Sequence, residues 1–260
     1  MTPVTLITGA SAGIGRELAH VFARHGHDLV LVARREQRLN ELAAAIEASG
    51  RPKPPVLAID LAQPGAAKRI GEALLARGLE PQIIVNNAGF GLVGRAARLP
   101  RDEQLGMIDL NVRVLTDLSL SFIDSLARHR GGLLNVASVA AFLPGPGSAV
   151  YYAGKAFVLS FSEALHRELA PQGIRVTCLC PGPVATEFQA RAGIAEDKPL
   201  WPLAVSAERV AEAGYQGLMR GQRVVVPGLA NKLLAALAPR FVPRNILLAQ
   251  LDRRQLKRGA

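Results

Sequence analysis

The sequence predicts an α/β fold, a doubly wound parallel sheet with helices on both faces. Short apolar runs alternate with amphipathic stretches from the first residues to about position 226, the spacing of βαβ units. The first run leads at once into a glycine-rich turn, T-G-A-S-A-G-I-G (8–15), and then into an amphipathic stretch. Strand, glycine turn and helix in that order signal dinucleotide binding. At 260 residues, 49% hydrophobic and 20% charged, the chain can build one large core and is excluded from the disordered class.

The first strand is Val4–Thr8. Gly9, Gly13 and Gly15, with Ser11 and Ile14 between them, allow a tight turn and close approach of backbone to a pyrophosphate at a helix N-terminus. The spacing T-G-x-x-x-G-x-G is one residue looser than G-x-G-x-x-G. A second strand, Leu29–Ala33, is followed by Arg34-Arg35 and a helix from Glu36 to Ala48. Folds that prefer NAD place an acid here, whereas a guanidinium suits the 2′-phosphate of NADP. The two arginines either bind that phosphate or simply open a solvated helix. A third strand, Val56–Ile59, ends in Asp60-Leu61; a helix over Ala66–Arg77 and the strand Ile83–Val85 lead to N-N-A-G (86–89).

Residues 101–127 read as a helix whose apolar face is interrupted by Asn111. The apolar run Leu133–Val139 reads as a buried strand carrying Ser138, and a helix from Tyr151 to Leu169 follows. The strand Arg175–Cys180 ends in P-G-P-V-A-T (181–186), and the irregular stretch from Glu187 to Ser206 suits a lid. A helix over Ser206–Met219 and a strand Arg223–Val226 complete the sheet.

Tyr151 and Lys155 are four apart and share a helix face. An ammonium beside a phenol favours the phenolate and lowers the tyrosine pKa, which would make Tyr151 a general acid/base. Alone, Y-x-x-x-K is also an ordinary, partly exposed helix face. Ser138, at the carboxyl end of a strand, lies where open α/β sheets bind ligands.

The domain is expected to span 1–228, with 229–260 a basic amphipathic extension. The net charge is +10, and the segment from Lys232 onward holds seven basic residues against Asp252, so the domain itself is only mildly basic. Phe241 is the one aromatic residue among the tail's charges, which argues against a specific nucleic-acid partner read by base stacking. Leu229, Leu233, Leu234 and Leu237 form a helical stripe that Pro239 and Pro243 are expected to break, before a second amphipathic piece, Ile246–Lys257. This tail could pack on a partner subunit, make peripheral contact with an anionic membrane surface, or stay solvated. Cys178 and Cys180 read as two reduced, buried hydrophobes in poor geometry for a bridge. With no cluster of His or Cys around them, no metal is expected. The sequence opens on an apolar strand without a basic signal region and has no run near 20 apolar residues, so a cytoplasmic location is expected.

Taken together, these motifs resemble the short-chain dehydrogenase/reductase (SDR) family over residues 4 to about 227: the turn Thr8–Gly15, Asp60, Asn86-Asn87-Ala88-Gly89, Asn111, Ser138, Tyr151 with Lys155, and Pro181-Gly182 with Thr186, all in order. P-G-L-A-N-K after the last strand resembles a subgroup of bacterial reductases. The resemblance implies a Rossmann-type fold and an NADP(H)-dependent oxidoreductase interconverting a ketone or aldehyde and its alcohol, working as a homotetramer or homodimer. It implies that Ser138 hydrogen-bonds the substrate carbonyl and Tyr151 donates the proton. Lys155 would hold the nicotinamide ribose, and Asn111 a water that relays protons. Asp60 and Leu61 would meet the adenine, Asn87, Ala88 and Gly89 would line the cleft, and Val184 and Thr186 would contact the carboxamide end. Where many NADP-using members carry a basic residue in the turn, this chain has Ala12, so the NADP expectation rests on Arg34 and Arg35. The alternative is a catalytically silent NADP-binding scaffold of the same fold. Phe90, Leu92, Phe142, Val184, Phe188 and Trp201 are candidate pocket residues and equally ordinary core residues.

Overall fold

The computed structural model describes residues 1–194 and 204–258; Trp201 lies outside them. Seven strands, β1 (Thr2–Thr8), β2 (Leu29–Ala33), β3 (Val56–Ala58), β4 (Leu79–Asn86), β5 (Gly132–Val136), β6 (Arg175–Leu179) and β7 (Val224–Val225), form one parallel sheet in the order β3-β2-β1-β4-β5-β6-β7. The order reverses between β1 and β4, and a crevice opens beyond the carboxyl ends of the strands at such a point.

Helices cover both faces because the strands alternate: Ile83 and Val85 of β4 enter one core, and Ile84 enters the other. The first core is closed by α1 (Gly13–Arg24), α2 (Glu36–Ala48) and α9 (Ala207–Met219). The second is closed by α3 (Ala66–Leu75), α5 (Leu115–Ser121), α6 (Ile123–Arg128) and α7 (Ala149–Glu168). A buried polar chain ties the sheet to α5 and α7. Asn86 Nδ2 donates to Asn135 Oδ1 (2.9 Å) and Ser119 Oγ (3.0 Å), and Asn135 Nδ2 donates to Ser162 Oγ (3.0 Å).

Several elements differ from expectation for identifiable reasons. β4 begins at Leu79, because Leu79–Pro81 pair with Thr2–Val4 across a register shift between Val4 and Thr5; such an irregularity is where a strand tolerates proline. The expected helix over 101–127 is divided into α4 (Arg101–Ile108), a π-helical turn (Asp109–Val114), α5 and α6, with a break at Phe122. β5 ends at Val136, so Ser138 lies two residues beyond the strand and caps a 3-10 turn, Val139–Phe142, accepting from the Ala140 N–H. Helix α10 (Leu229–Phe241) runs through Pro239 and stops before Pro243, since a proline in the last turn forfeits only one helical bond. α8 (Phe188–Arg191) and α11 (Arg244–Arg258) complete the described helices. None of the described helices is long and apolar enough to cross a membrane.

Candidate active site

At the reversal point lies a cleft of about 1200 Å³. At one end is the glycine turn. Gly9 has φ +66°, a conformation few side chains adopt, and a Cβ on it would fall 2.8 Å from Asn87 Nδ2. Asn87 Nδ2 donates to the carbonyls of Thr8 (3.0 Å) and Gly9 (3.3 Å), locking the turn to the end of β4. Gly15 sits beneath the turn, where a Cβ would lie 2.3 Å from the Gly9 carbonyl oxygen. Helix α1 has Ala12 at its N-cap position, with no side-chain cap and no acid in its first turn. Its unpaired N–H groups and positive dipole end therefore face the cleft wall formed by Gly13 and Ile14. That cradle fits a pyrophosphate.

At the other end, Ser138 and Tyr151 both line the cleft, and the Ser138 hydroxyl donates to the Pro181 carbonyl (3.4 Å) and accepts from the Ala140 N–H (3.1 Å). Burial pushes the Tyr151 pKa up to about 12, opposed only in part by the neighbouring Ser138 hydroxyl. Lys155, only 6% exposed, is pushed by burial down to about 8. Its Nζ donates to the Val136 carbonyl (2.8 Å) and stands 5.8 Å from the Tyr151 ring centroid. The two side chains share a face, as their spacing requires, but the expected depression of the phenol pKa is not found. Desolvation of the phenol sets its pKa, and the lysine, itself buried and turned toward the Val136 carbonyl, does not offset it.

Every residue expected at the site lines this cleft except Gly15 and Asn111. These are Gly9, Ser11, Gly13, Ile14, Arg34, Arg35, Asp60, Leu61, Asn87, Ala88, Gly89, Ser138, Tyr151, Lys155, Pro181, Gly182, Val184 and Thr186. Asn111 is buried in the π-helical turn, where its Nδ2 donates to Phe90 O (2.8 Å) and its Oδ1 accepts from Phe90 N (3.1 Å). It thus fixes the backbone just after Asn87–Gly89. Of the candidate pocket residues, Phe90, Leu92, Val184 and Phe188 line the cleft; Phe142 packs instead against the core around Leu115 and Val158.

The cleft also holds groups the motifs did not point to. Glu187, just before α8, accepts from Arg35 (2.7 Å) and pairs with Arg38 (3.3 Å), and Arg35 also donates to Ser11 Oγ (3.2 Å). The hydrogen bond from Arg35 holds the Glu187 carboxyl below the usual range. Arg191 of α8 stacks over Phe90, 4.4 Å from its centroid. Behind the cleft, Asn231 of α10, the asparagine of P-G-L-A-N-K, is buried so close to the lining residue Gly182 that a Cβ there would fall 2.5 Å from its amide. The expected lid indicated the region of Glu187 and Arg191, but no spacing rule pairs residues some 150 apart. Cys178 and Cys180 are buried and free, with sulfurs 3.7 Å apart. Among the described residues, no group of three or more His, Cys, Asp or Glu could hold a metal ion.

The chain matches the short chain dehydrogenase family over residues 3–197. It is 37% identical over 194 residues to sulfoacetaldehyde reductase 2 of Chromohalobacter salexigens, covering 72% of this chain and 75% of that protein. An uncharacterized oxidoreductase of Myxococcus xanthus is 35% identical over 221 residues, covering 85% of each. Among solved structures, a short-chain dehydrogenase from Sphingobium yanoikuyae in complex with NADPH superposes with a TM-score of 0.79 at 34% identity, covering 98% of this chain and 94% of that one.

Proposed function

The chain belongs to the short-chain dehydrogenase family, and on that premise we propose that it interconverts an aldehyde or ketone and the corresponding alcohol with NADP(H). The observation that carries this reading is the gathering of Ser138, Tyr151 and Lys155 in the one cleft onto which the glycine turn opens. The resemblance to a dehydrogenase bound to NADPH and to a named aldehyde reductase supports it. The uncapped start of α1 would hold the pyrophosphate, with Arg34 and Arg35 at the 2′-phosphate and Asp60 and Leu61 at the adenine. Asn87 to Gly89 would line the cofactor's path, and Pro181, Gly182, Val184 and Thr186 the nicotinamide end. When bound, the nicotinamide supplies the hydride for reduction or accepts it in the reverse direction.

The remaining chemistry falls to the chain's own residues. Ser138 turns its hydroxyl toward the substrate oxygen and keeps it beside the phenol. Tyr151 is neutral well above physiological pH, so its O–H is ready to be donated to a carbonyl oxygen on which negative charge develops. As that proton leaves, the phenolate is stabilised by the Lys155 ammonium, whose low pKa makes it a ready proton source for recharging the tyrosine. Asn111 acts as a positioning residue through Phe90.

The test is a panel of aldehydes and ketones assayed with NADPH and NADH in parallel. Nucleotide consumption with at least one carbonyl, favouring NADPH, is expected. Tight NADPH binding with no consumption across the panel would instead favour the catalytically silent scaffold.

A further inference from the structure

Helix α10 has an inverted pattern. Its small residues Ala235 and Ala238, with Asn231, face the domain and are buried, Leu234 is half-buried, and its four other large apolar residues face away. Leu229, Leu233, Leu237 and Phe241 are 75%, 50%, 47% and 74% exposed. Recurring every fourth position, they make one continuous apolar face along the helix. A helix that only had to cover the domain would bury its leucines.

Cations accompany this face along the chain. Lys232 and Arg240 on the helix and Arg244 just beyond it are exposed, and none of them belongs to an ion pair among the described residues. Asp252, the single acid in the sequence from 229 to 260, is held by Arg95 in a two-pronged pair (2.7 and 3.2 Å). That pair anchors α11 to the segment just after Leu92 and Val93, which line the cleft. The outward surface is therefore apolar with uncompensated positive charge.

We propose that this surface docks on an anionic lipid bilayer, with α10 lying in the interfacial plane. A large apolar face accompanied by lysine and arginine suits such a helix, since apolar side chains enter the acyl boundary while cations meet anionic headgroups. A second copy is a poor occupant. A two-fold contact sets identical surfaces together, here cations against cations, with the only carboxylate already engaged. The proposal is independent of the reaction assigned to the cleft.

Flotation of the full-length protein with vesicles tests it, comparing phosphatidylcholine alone with phosphatidylcholine containing about one-third phosphatidylglycerol. Two variants accompany the wild type: Leu233→Gln/Leu237→Gln/Phe241→Gln and Lys232→Glu/Arg240→Glu/Arg244→Glu. Light scattering gives the particle mass of each in solution. Binding to the anionic vesicles, weakened by salt, is expected. The charge-reversed variant, altered only at exposed positions, should lose about a hundredfold in partitioning, and the apolar variant should lose about tenfold or more. Equal binding to both vesicle types, binding to neither, or unchanged binding by the charge-reversed variant would overturn the proposal. So would a fall in particle mass in the apolar variant, which would assign the face to a second copy.

Discussion

Replacing Lys155 by methionine should stabilise the nucleotide-free protein at neutral pH while removing its chemistry. Burial lowers the Lys155 pKa from 10.5 to about 8, so the folded state bears a cost of roughly 3 kcal/mol for carrying this ammonium, at 1.36 kcal/mol per pH unit. Methionine fills a similar volume and loses the bond to Val136 O (2.8 Å), returning about 1–2 kcal/mol of that. The net gain is about 1–2 kcal/mol, or about 2–6 °C in Tm for a domain of this size. The pH dependence fixes the cause. Below pH 8 the lysine is protonated in the folded and unfolded chains alike, and the full cost is felt. Between 8 and 10.5 the folded protein sheds the proton first, so wild-type stability rises relative to the variant. Above 10.5 both states are neutral and the advantage of methionine is gone. Thermal unfolding of both proteins at about pH 7 and about pH 10 measures this difference. A variant less stable than wild type near pH 7, or an advantage of equal size at both values, would refute it.

Three further changes probe the cofactor end. Gly15→Ala places a methyl 2.3 Å from the Gly9 carbonyl oxygen and 2.4 Å from Asn87 Nδ2. It should cost about 1–3 kcal/mol of stability by denaturant unfolding and weaken NADPH binding by displacing the turn. Arg35→Ala should raise the NADPH Kd about tenfold or more while leaving NADH nearly unchanged, since a charged bond to phosphate is worth about 1.5–3 kcal/mol. Glu187→Gln removes a competitor for Arg35 and Arg38 and should tighten NADPH a few-fold, again sparing NADH. Fluorescence titration with both nucleotides checks the pair, and equal shifts for the two would count against a 2′-phosphate site at these arginines.

The sheet was legible in the sequence because each buried strand is a short apolar run bounded by glycine, proline or charge. Leu29–Ala33 and Glu36–Ala48 match residue for residue. Most of the candidate site was legible too, since strand ends and the glycine turn deliver their residues to the same end of a parallel sheet. Other features depend on tertiary context. The π-helical turn around Asn111 is set by its bonds to the Phe90 backbone, and the early start of β4 by a partner strand. The raised pKa of Tyr151 was missed because spacing reports that two side chains share a face, but not how deeply both are desolvated. Glu187 is joined to Arg35 only by the return of the chain over the cleft.

The catalytic proposal turns most directly on the phenol of Tyr151. Single-turnover reduction of an active carbonyl should be compared in wild type and Tyr151→Phe, with NADPH affinity measured in parallel. Loss of about a hundredfold or more in the chemical step, with the NADPH Kd unchanged, is the expected result. Equal rates in the two proteins would show that the proton comes from elsewhere and would contradict the mechanism.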